Sequence, residues 1–550
     1  MHVRTLSSGS IREYQALEGG LADMLWSPDA EELLVLATDI RSAEGDGSTG
    51  ELDPDQLDPQ VHRPAESWRR LFRLVVKTGE MSAIGPIGLT VWEFDWLGGD
   101  IVAAVTSADP SENGWYTAAV SVIDVPSGTA RTVHAPTWQV SGPRLAPDEK
   151  RIAFLEGICS DRGGVSGVLT LADVTSGDCD DQPLLSGVRA VAPEVEVTGL
   201  AWRDDGRLWY AGRQGLRSTC GSVSLAGVPE ELWSGDSVLR EFSASRDGRW
   251  LAAVKETVTD PPEISVFEVD SPERGWQALT TINSALTGRH LPAVEPMRWT
   301  APDGLDIEGL FVHPADPGGL EAPALVVLVH GGPTAAWGHA FPCVVRHAAL
   351  LALAGYAVLL PNPRGSTGRG QAFAQAVVGD LGGAELQDAL SGLDACVAAG
   401  RADAERVGIM GASHGGFMTA WAVTQTQRFR AGVAIACVSD YLSLHYTSDI
   451  GALDDILFVG KDRVAAYLER SPIVHVDKCA TPMLIIHGER DTCCPPAQAR
   501  ELYGGLVENG IETELVIYPR EGHGYVEYDH QVDLWHRVRG WFDTHLALRR

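Results

Sequence analysis

A loose repeat of short strands and turns runs from about residue 20 to residue 290, and it limits the fold more than any other feature. Each unit combines an apolar or aromatic residue, a turn with Asp or Gly, and apolar strands that end in a second turn. The five units begin at Leu25–Asp29, Phe94–Gly99, Leu145–Asp148, Ala201–Gly206 and Ala244–Gly248. A pitch of roughly 45–60 residues with about four strands per unit is typical of a β-propeller.

The number of blades stays open at this point. Five units are legible, and two degenerate blades could bring the total to seven, although roughly 270 residues suit five better. An irregular all-β sandwich is the alternative fold. The segment Ala43–Glu66 is rich in Gly, Asp, Pro and Ser, which predicts a long flexible insertion in the first blade. We therefore expect residues 1–290 to form a propeller.

Beyond residue 290 the pattern changes to strands that alternate with helical stretches. Apolar runs at Pro323–Val329, Ala357–Leu360 and Ala431–Ala436 predict buried strands, and the amphipathic run Gly383–Ala399 predicts a helix. This order predicts a mostly parallel sheet covered by helices on both faces. We expect residues 291–550 to form this second domain.

Ser413 lies in Gly411-Ala-Ser413-His-Gly415, between the predicted strand Val407–Met410 and a helix-like run that starts at Phe417. A serine hydroxyl is a poor nucleophile until a sharp strand-to-helix turn exposes it and a base takes its proton. The flanking glycines allow that turn without a Cβ clash. Since the setting is strand and then helix, we predict that Ser413 is the nucleophile of an α/β-hydrolase domain.

Two residues downstream complete the expected order Ser, Asp, His of this fold. Asp491 follows the predicted strand Pro482–Ile486, and His523 lies in a glycine-flanked loop after Thr513–Pro519. We predict that His523 takes the proton of Ser413 and that Asp491 orients the imidazole. The competing acids are Asp403, Asp440 and Asp449, and the competing bases are His475, His487 and His530.

Glycine-rich backbone follows the strand Pro323–Val329 as His330-Gly331-Gly332-Pro333. Such backbone can direct N–H groups toward a developing oxyanion, although a simple tight turn is the alternative. We predict the N–H groups of Gly332 and His414 as the oxyanion donors. The residues predicted to contact substrate are His330, Trp337, Tyr441, Tyr446 and Cys493. The three aromatic residues are expected in loops after strands, either as a substrate wall or packed at the domain interface.

The chain carries 74 Asp and Glu against 43 Lys and Arg, for a net charge of −31. This charge disfavours nucleic acid and anionic membrane surfaces as partners. No apolar run approaches the roughly 20 residues that a membrane span needs. The first residues also lack the apolar core of a secretory signal.

Nine cysteines form no ligand array of the usual metal-site spacing, and Cys493 and Cys494 are adjacent. Free thiols are expected, which favours a reducing cytoplasm. We predict no cofactor and no metal. The oligomeric state, including a homo-oligomer, stays open.

With these motifs together, the chain resembles the prolyl oligopeptidase family of serine peptidases, in its acylaminoacyl-peptidase-like branch. The resemblance rests on His330–Pro333, Asn362–Gly370, Gly411–Gly416, His487–Asp491 and Gly522–Gly524. It implies cleavage of short peptides beneath a propeller that excludes folded proteins. Many members place an arginine two residues after the catalytic aspartate, where this chain has Cys493.

Three functions remain as hypotheses. The first is a serine peptidase acting on short peptides or on N-blocked or aminoacyl substrates, and the second is an amide or ester hydrolase acting on a small molecule such as a biosynthetic intermediate or antibiotic. Cys493 and the short propeller favour the second. The third is a propeller binding module with an inert hydrolase domain, which the complete set of catalytic residue types disfavours. No chemical role is assigned to Arg364, and the alternative is a structural turn anchored by its guanidinium.

Overall fold

The computed structural model describes residues 2–4, 11–14, 20–38, 67–164, 166–174, 179–180, 195–225, 227, 229–316, 322–341 and 346–546. The predicted insertion Ala43–Glu66 lies outside the described residues. Within them, a short hairpin is followed by five four-stranded antiparallel sheets and then by one eight-stranded sheet. The fold class predicted from the sequence is confirmed, with five blades in the described part of the chain.

The first half consists of meanders in which each strand pairs with the next along the chain. The hairpin consists of β1 (His2–Arg4) and β2 (Ile11–Glu13). The first blade contains β3 (Leu21–Trp26), β4 (Glu32–Thr38), β5 (Arg69–Val75) and β6 (Glu80–Ile84), and the second contains β7 (Thr90–Trp96), β8 (Ile101–Ser107), β9 (Ala119–Asp124) and β10 (Ala130–His134). The third blade contains β11 (Gln139–Leu145), β12 (Arg151–Gly157), β13 (Val168–Asp173) and β14 (Cys179–Asp180), the fourth contains β15 (Glu196–Trp202), β16 (Leu208–Gln214), β17 (Arg217–Val223) and β18 (Pro229–Gly235), and the fifth contains β19 (Val238–Ala244), β20 (Trp250–Glu256), β21 (Glu263–Glu268) and β22 (Trp276–Ala278). The first strands of neighbouring blades lie side by side, β7 with β11, β11 with β15 and β15 with β19. This arrangement is that of a propeller.

The repeated turn between the first two strands of a blade has a hydrogen-bonding reason. In the first blade the Ser27 hydroxyl donates to Asp29 (2.6 Å) and accepts from the Glu32 N–H (2.9 Å). In the fifth blade the Ser245 hydroxyl donates to Asp247 (2.6 Å) and accepts from the Trp250 N–H (3.0 Å). Because a short polar side chain can satisfy turn backbone in this way, the Ser-x-Asp pattern recurs where the chain must reverse.

The second half is an eight-stranded sheet in the order β23-β24-β26-β25-β27-β28-β29-β30. Its strands are β23 (Val294–Thr300), β24 (Asp306–Val312), β25 (Leu325–Val329), β26 (Ala357–Asn362), β27 (Val407–Ala412), β28 (Ala431–Ile435), β29 (Met483–Gly488) and β30 (Thr513–Tyr518). β24 pairs antiparallel with β23 and β26, and all other pairs are parallel. The predicted boundary after residue 290 falls between β22 and β23 and stays a prediction.

Nine helices lie in the described part of this half. They are α1 (Arg346–Leu353), α2 (Gln371–Ala374), α3 (Ala384–Ala398), α4 (His414–Gln425), α5 (Tyr441–Thr447), α6 (Ala452–Leu457), α7 (Arg463–Arg470), α8 (Ala497–Glu508) and α9 (Tyr528–His545). The central strands β25, β28 and β29 are buried along their whole length, because helices cover both faces of the sheet. No helix among the described residues is both long and apolar enough for a bilayer span.

Side chains of the propeller are hydrogen-bonded to both side-chain and backbone groups of the second half. The buried Glu196 accepts from the Gln371 side chain (2.9 Å) and from the Gly368 N–H. Arg213 donates to the carbonyls of Ala336 (3.2 Å) and Trp337 (2.9 Å). These contacts hold the blades over the carboxyl edge of the sheet, where the loop after β25 begins.

Candidate active site

Ser413 occupies a strained turn between β27 and α4. Its φ of 59° and ψ of −123° lie in a region that side chains other than glycine rarely adopt. The Ser413 N–H donates to the Ile435 carbonyl (3.0 Å), and its own carbonyl accepts the first helical bond from Phe417 (2.9 Å). The strand and the helix therefore fix the turn from both sides, which leaves Ser413 only half-buried.

The two glycines of this motif are required by close backbone approach. A Cβ on Gly411 would lie 2.5 Å from the Gly415 carbonyl group. A Cβ on Gly415 would lie 2.3 Å from the Val329 carbonyl oxygen at the end of β25. The start of α4 thus packs directly on two strands, so no larger residue fits at either position.

Asp491 and His523 meet at the carboxyl edge of the sheet, in the loops after β29 and β30. His523 Nδ1 and Asp491 Oδ2 are 2.9 Å apart, and Asp491 Oδ1 accepts from the Cys494 N–H (2.8 Å). The two loops are joined by a bond from the Arg490 N–H to the Glu521 carbonyl (2.9 Å). The structure therefore brings the predicted acid and base together, on the same edge that carries Ser413.

A second histidine lies against the same carboxylate. His487 Nε2 is 3.3 Å from Asp491 Oδ2 and 2.6 Å from the Cys494 carbonyl oxygen. The His487 side chain is fully buried, whereas that of His523 is 25% exposed. Only His523 can therefore reach a bound substrate. The other competing histidine of this region, His530, lies in α9 and contacts Glu521 (2.8 Å).

The electrostatics of the Asp491 and His523 pair favour an ionised carboxylate at Asp491. Burial raises the pKa of Asp491, but the hydrogen bonds from His487 and His523 outweigh it and hold that pKa below its ordinary value. Burial lowers the pKa of His523, but the charges of Cys493 and Asp491 outweigh it and raise that pKa well above its ordinary value. Asp491 can therefore stabilise an imidazolium at His523.

The glycine-rich loop after β25 lies beside the serine turn. A Cβ on Gly331 would be 3.5 Å from the Ser413 Cβ. His414 is the first residue of α4, so its N–H has no acceptor within the helix. The backbone at Gly331, one residue before Gly332, thus lies beside Ser413, and the N–H of His414 belongs to the helix that starts directly after it. The His414 imidazole is buried against Glu385 (3.1 Å), a partner that no sequence pattern predicted.

The residues predicted to contact substrate have different surroundings. His330 is buried and bonded to Ser366 (2.9 Å) and to the Gly331 carbonyl (2.7 Å), contacts that position its loop. Trp337 is half-buried and donates through Nε1 to the Leu328 carbonyl (3.1 Å). Tyr441 and Tyr446 lie in α5 and not in a loop: the Tyr441 ring is buried against Phe417, and Tyr446 is 70% exposed. Cys493 contacts His523, as described below.

An interdomain cavity of ≈ 560 Å³ adjoins the glycine-rich loop. Its hydrolase wall includes Thr334 and Trp337, and its propeller wall includes Asp161, Arg213 and Phe242. The charge of His523 acts on Asp161, which places this carboxylate near the candidate base. Asp161 and Arg213 have no recognisable sequence signal, because the blades that carry them approach the glycine-rich loop after β25 only in the tertiary structure.

Arg364 has a structural position. Its guanidinium forms two bonds to the buried carboxylate of Asp388 in α3 (both 2.8 Å) and one to Asp303 (2.8 Å). Its N–H also donates to Asp388 (2.9 Å). These contacts support the structural interpretation of Arg364, a turn anchored by a guanidinium.

Comparison with known proteins agrees with the sequence resemblance. Residues 344–549 match the sequence profile of the prolyl oligopeptidase family. The uncharacterized peptidase YuxL of Bacillus subtilis is 32% identical over 59% of this chain, and the acylamino-acid-releasing enzyme of Rattus norvegicus is 26% identical over 78% of it. The matched regions span 50% and 62% of the lengths of these two relatives.

Among solved structures, an acylaminoacyl peptidase of Pyrococcus horikoshii superposes with a TM-score of 0.79. The superposition covers 99% of this chain and 84% of that one at 21% identity, so the likeness concerns the fold. The predicted family resemblance is confirmed for the hydrolase half.

Proposed function

We propose that this chain, whose residues 344–549 form a prolyl oligopeptidase family domain, is a serine peptidase. Its substrates would be short peptides or N-blocked and aminoacyl compounds, cleaved at an amide bond through an acyl-enzyme. The observation that carries the proposal is the 2.9 Å contact between His523 and Asp491, on the sheet edge where the strained turn presents Ser413. A nucleophile, a base and an orienting acid on one edge are the requirements for acyl transfer.

The proposed reaction starts when Ser413 Oγ attacks the carbonyl carbon and His523 Nε2 accepts its proton. Asp491 keeps Nδ1 protonated and stabilises the imidazolium. His523 then protonates the leaving amine, and a water molecule repeats the sequence to release the acid. We assign oxyanion stabilisation to the N–H groups of Gly332 and His414, each worth about 3 kcal/mol in the transition state.

The interdomain cavity supports the choice of short substrates. Blade residues such as Asp161 and Phe242 cover the side of the cavity opposite Thr334 and Trp337. A space of ≈ 560 Å³ between two domains is too small for a folded protein. Trp337 would contact the substrate at this wall. Because the cavity contains both arginine and acidic side chains, it can bind either end of a peptide.

Free thiols support a reducing compartment as the place of action. The seven cysteines whose side chains the structure describes form no disulfide with one another. Together with the net charge of −31, this supports a cytoplasmic peptidase that does not bind nucleic acid.

An active-site fluorophosphonate probe tests the nucleophile. We expect labelling of the wild type and none in Ser413→Ala, with Ser391→Ala, a serine of α3, as a labelled control. A panel of aminoacyl and N-acetyl-aminoacyl p-nitroanilides, measured beside simple esters, then tests the substrate class. Turnover of the anilides supports the peptidase, and a labelled Ser413→Ala variant would refute the assignment of the nucleophile.

A second candidate is an amide or ester hydrolase acting on a small molecule. It is favoured by Cys493, which stands where the resemblance expects an arginine that binds a peptide carbonyl. A thiol cannot make that charged contact. Fast turnover of esters with no turnover of any anilide in the panel would select this candidate.

A further inference from the structure

Two thiols and an imidazole converge next to the proposed catalytic pair. The sulfur atoms of Cys493 and Cys494 and a ring nitrogen of His523 lie within 4.8 Å of one another. Cys494 is buried and Cys493 is half-buried, so the group opens to solvent on one side. Two thiolates and one imidazole form a known ligand set for Zn²⁺, with the fourth position left for water.

The backbone of both cysteines is fixed before any ion arrives. The Cys494 N–H donates to Asp491 (2.8 Å), and the Cys494 carbonyl is 2.6 Å from His487 Nε2. The Cys493 carbonyl accepts from the Ser448 hydroxyl (2.6 Å). These bonds hold the backbone of both residues in place, which keeps the entropic cost of binding an ion small.

The imidazole is oriented as metal-binding histidines usually are. His523 Nδ1 is bonded to Asp491, which leaves Nε2 as the atom that can bind a ligand once it has lost its proton. A carboxylate behind a ligating histidine fixes its tautomer and raises its basicity.

The other cluster of potential metal ligands among the described residues already uses its oxygen atoms for hydrogen bonds. Glu521, Glu527 and His530 are also close together. The Glu521 carboxylate, however, already accepts from the N–H groups of Val526 (2.8 Å) and Glu527 (3.0 Å) and from His530 (2.8 Å). Its oxygens are used to hold the loop that carries His523.

We propose that Cys493, Cys494 and His523 bind Zn²⁺ and that the bound ion inhibits the hydrolase. The two S–Zn bonds and the bond from His523 Nε2 form as the protons held by the two sulfurs and by Nε2 pass to solvent. Since the same lone pair must accept the proton of Ser413, the zinc-bound protein has no base. The inhibition rests on the proposed function, whereas the binding of the ion does not.

The test uses the full-length protein after treatment with a chelator. Co²⁺, a spectroscopic substitute for Zn²⁺, should bind in one equivalent and give a thiolate-to-metal charge-transfer band. Zn²⁺ should displace it, inhibit anilide or ester hydrolysis over the same concentration range and be removed by chelator. We expect Cys493→Ser and Cys494→Ser each to raise the Kd by about tenfold or more and to weaken the band, because one thiolate remains in each variant. The inhibition of each variant is compared with its own metal-free rate.

Cys479→Ser is the matched control. Cys479 is a buried thiol of the same domain, and its sulfur contacts the Thr481 carbonyl (3.6 Å), to which a serine hydroxyl can still donate. This variant should keep the wild-type Kd and inhibition. If Cys494→Ser does not fold, Cys494→Ala and the wild-type spectrum provide the same comparison.

Two results would overturn the proposal. One is the absence of a charge-transfer band in the wild type, and the other is equal zinc inhibition of the wild type, Cys493→Ser and Cys494→Ser. Binding without inhibition of an active enzyme would refute the inhibitory role. If the wild type hydrolyses nothing, the proposed function fails, and the Co²⁺ titration still decides whether the site exists.

Discussion

At the scale of single residues, Ser413 combines a half-buried side chain with an unfavourable backbone conformation. Its φ of 59° is imposed by the bond to Ile435 and by the start of α4. A conformation of this kind costs about 1–3 kcal/mol for a residue with a Cβ. The surrounding strands and helix therefore hold the serine in a position that its own backbone preference opposes.

This strain predicts a difference between two inactive variants. We expect Ser413→Gly to be more stable than Ser413→Ala by about 1 kcal/mol, because glycine adopts the same φ without a steric cost. Urea unfolding of the two variants measures the difference, and both should fail to react with the fluorophosphonate probe. Equal or reversed stabilities would mean that the turn is unstrained in solution.

His330 predicts a pH dependence of stability. Burial lowers its pKa from 6.5 to about 4 in the folded protein. Between these values the unfolded chain binds a proton that the folded protein does not, so the free energy of unfolding decreases as the pH falls from 6.5 to 4. The predicted loss is about 3 kcal/mol, from 1.36 kcal/mol per pKa unit.

The measurement compares urea unfolding of the wild type and His330→Gln across this pH range. The variant should show a shallower decrease by about 3 kcal/mol in total, whatever its stability at neutral pH. Parallel curves would show that His330 does not titrate with a lowered pKa.

At the scale of elements, the turn after β26 is tied to α3 by one ion pair. The Asp388 side chain is fully buried, and Arg364 forms two hydrogen bonds with it. The same guanidinium reaches Asp303 at the turn between β23 and β24. A single residue therefore connects the antiparallel edge of the sheet to the helix that covers it.

Arg364→Ala should destabilise the protein by about 3–5 kcal/mol, because it leaves the buried Asp388 carboxylate without its partner. Arg364→Leu combined with Asp388→Leu should recover most of this loss, since it removes both charges. Unfolding in urea measures the change. A loss below about 1 kcal/mol in Arg364→Ala would indicate that solvent replaces the guanidinium.

At the scale of the whole molecule, the propeller and the hydrolase half are joined by buried polar contacts. Glu196 is 1% exposed and accepts from Gln371 and Gly368 across the interface. The buried Glu256 accepts from the Phe341 N–H (2.9 Å). Because hydrogen bonds to a buried charge are stronger than neutral ones, these contacts set how closely the blades cover the cavity.

Glu196→Ala should loosen this cover. We expect faster limited proteolysis between the two halves and a fall of roughly threefold or more in the preference for a tripeptide over a long peptide with the same cleavage site, as a loss of about 1–3 kcal/mol in docking implies. Glu196→Gln keeps one acceptor and should fall in between. Unchanged proteolysis and preference in Glu196→Ala would exclude this contact as part of the size filter.

The sequence by itself determined what depends on local periodicity and order. It predicted the propeller and the mostly parallel sheet, and the strand predicted at Val407–Met410 is the one that leads to Ser413. It also placed Asp491 and His523 after successive strands, because the order of strand ends along the chain survives folding. The periodicity of apolar residues in strands and the residue types preferred in turns both depend on neighbours in the chain. They can therefore be recognised without coordinates.

The tertiary structure alone decided which distant groups meet. It joined His487 and His523 to one carboxylate, buried Tyr441 in the core, gave Arg364 its partner in α3 and brought Cys493 and Cys494 to His523. These contacts depend on strand register, loop conformation and the docking of two domains. No pattern within the loops themselves encodes such distances, because each one is fixed by the packing of segments far apart in the chain.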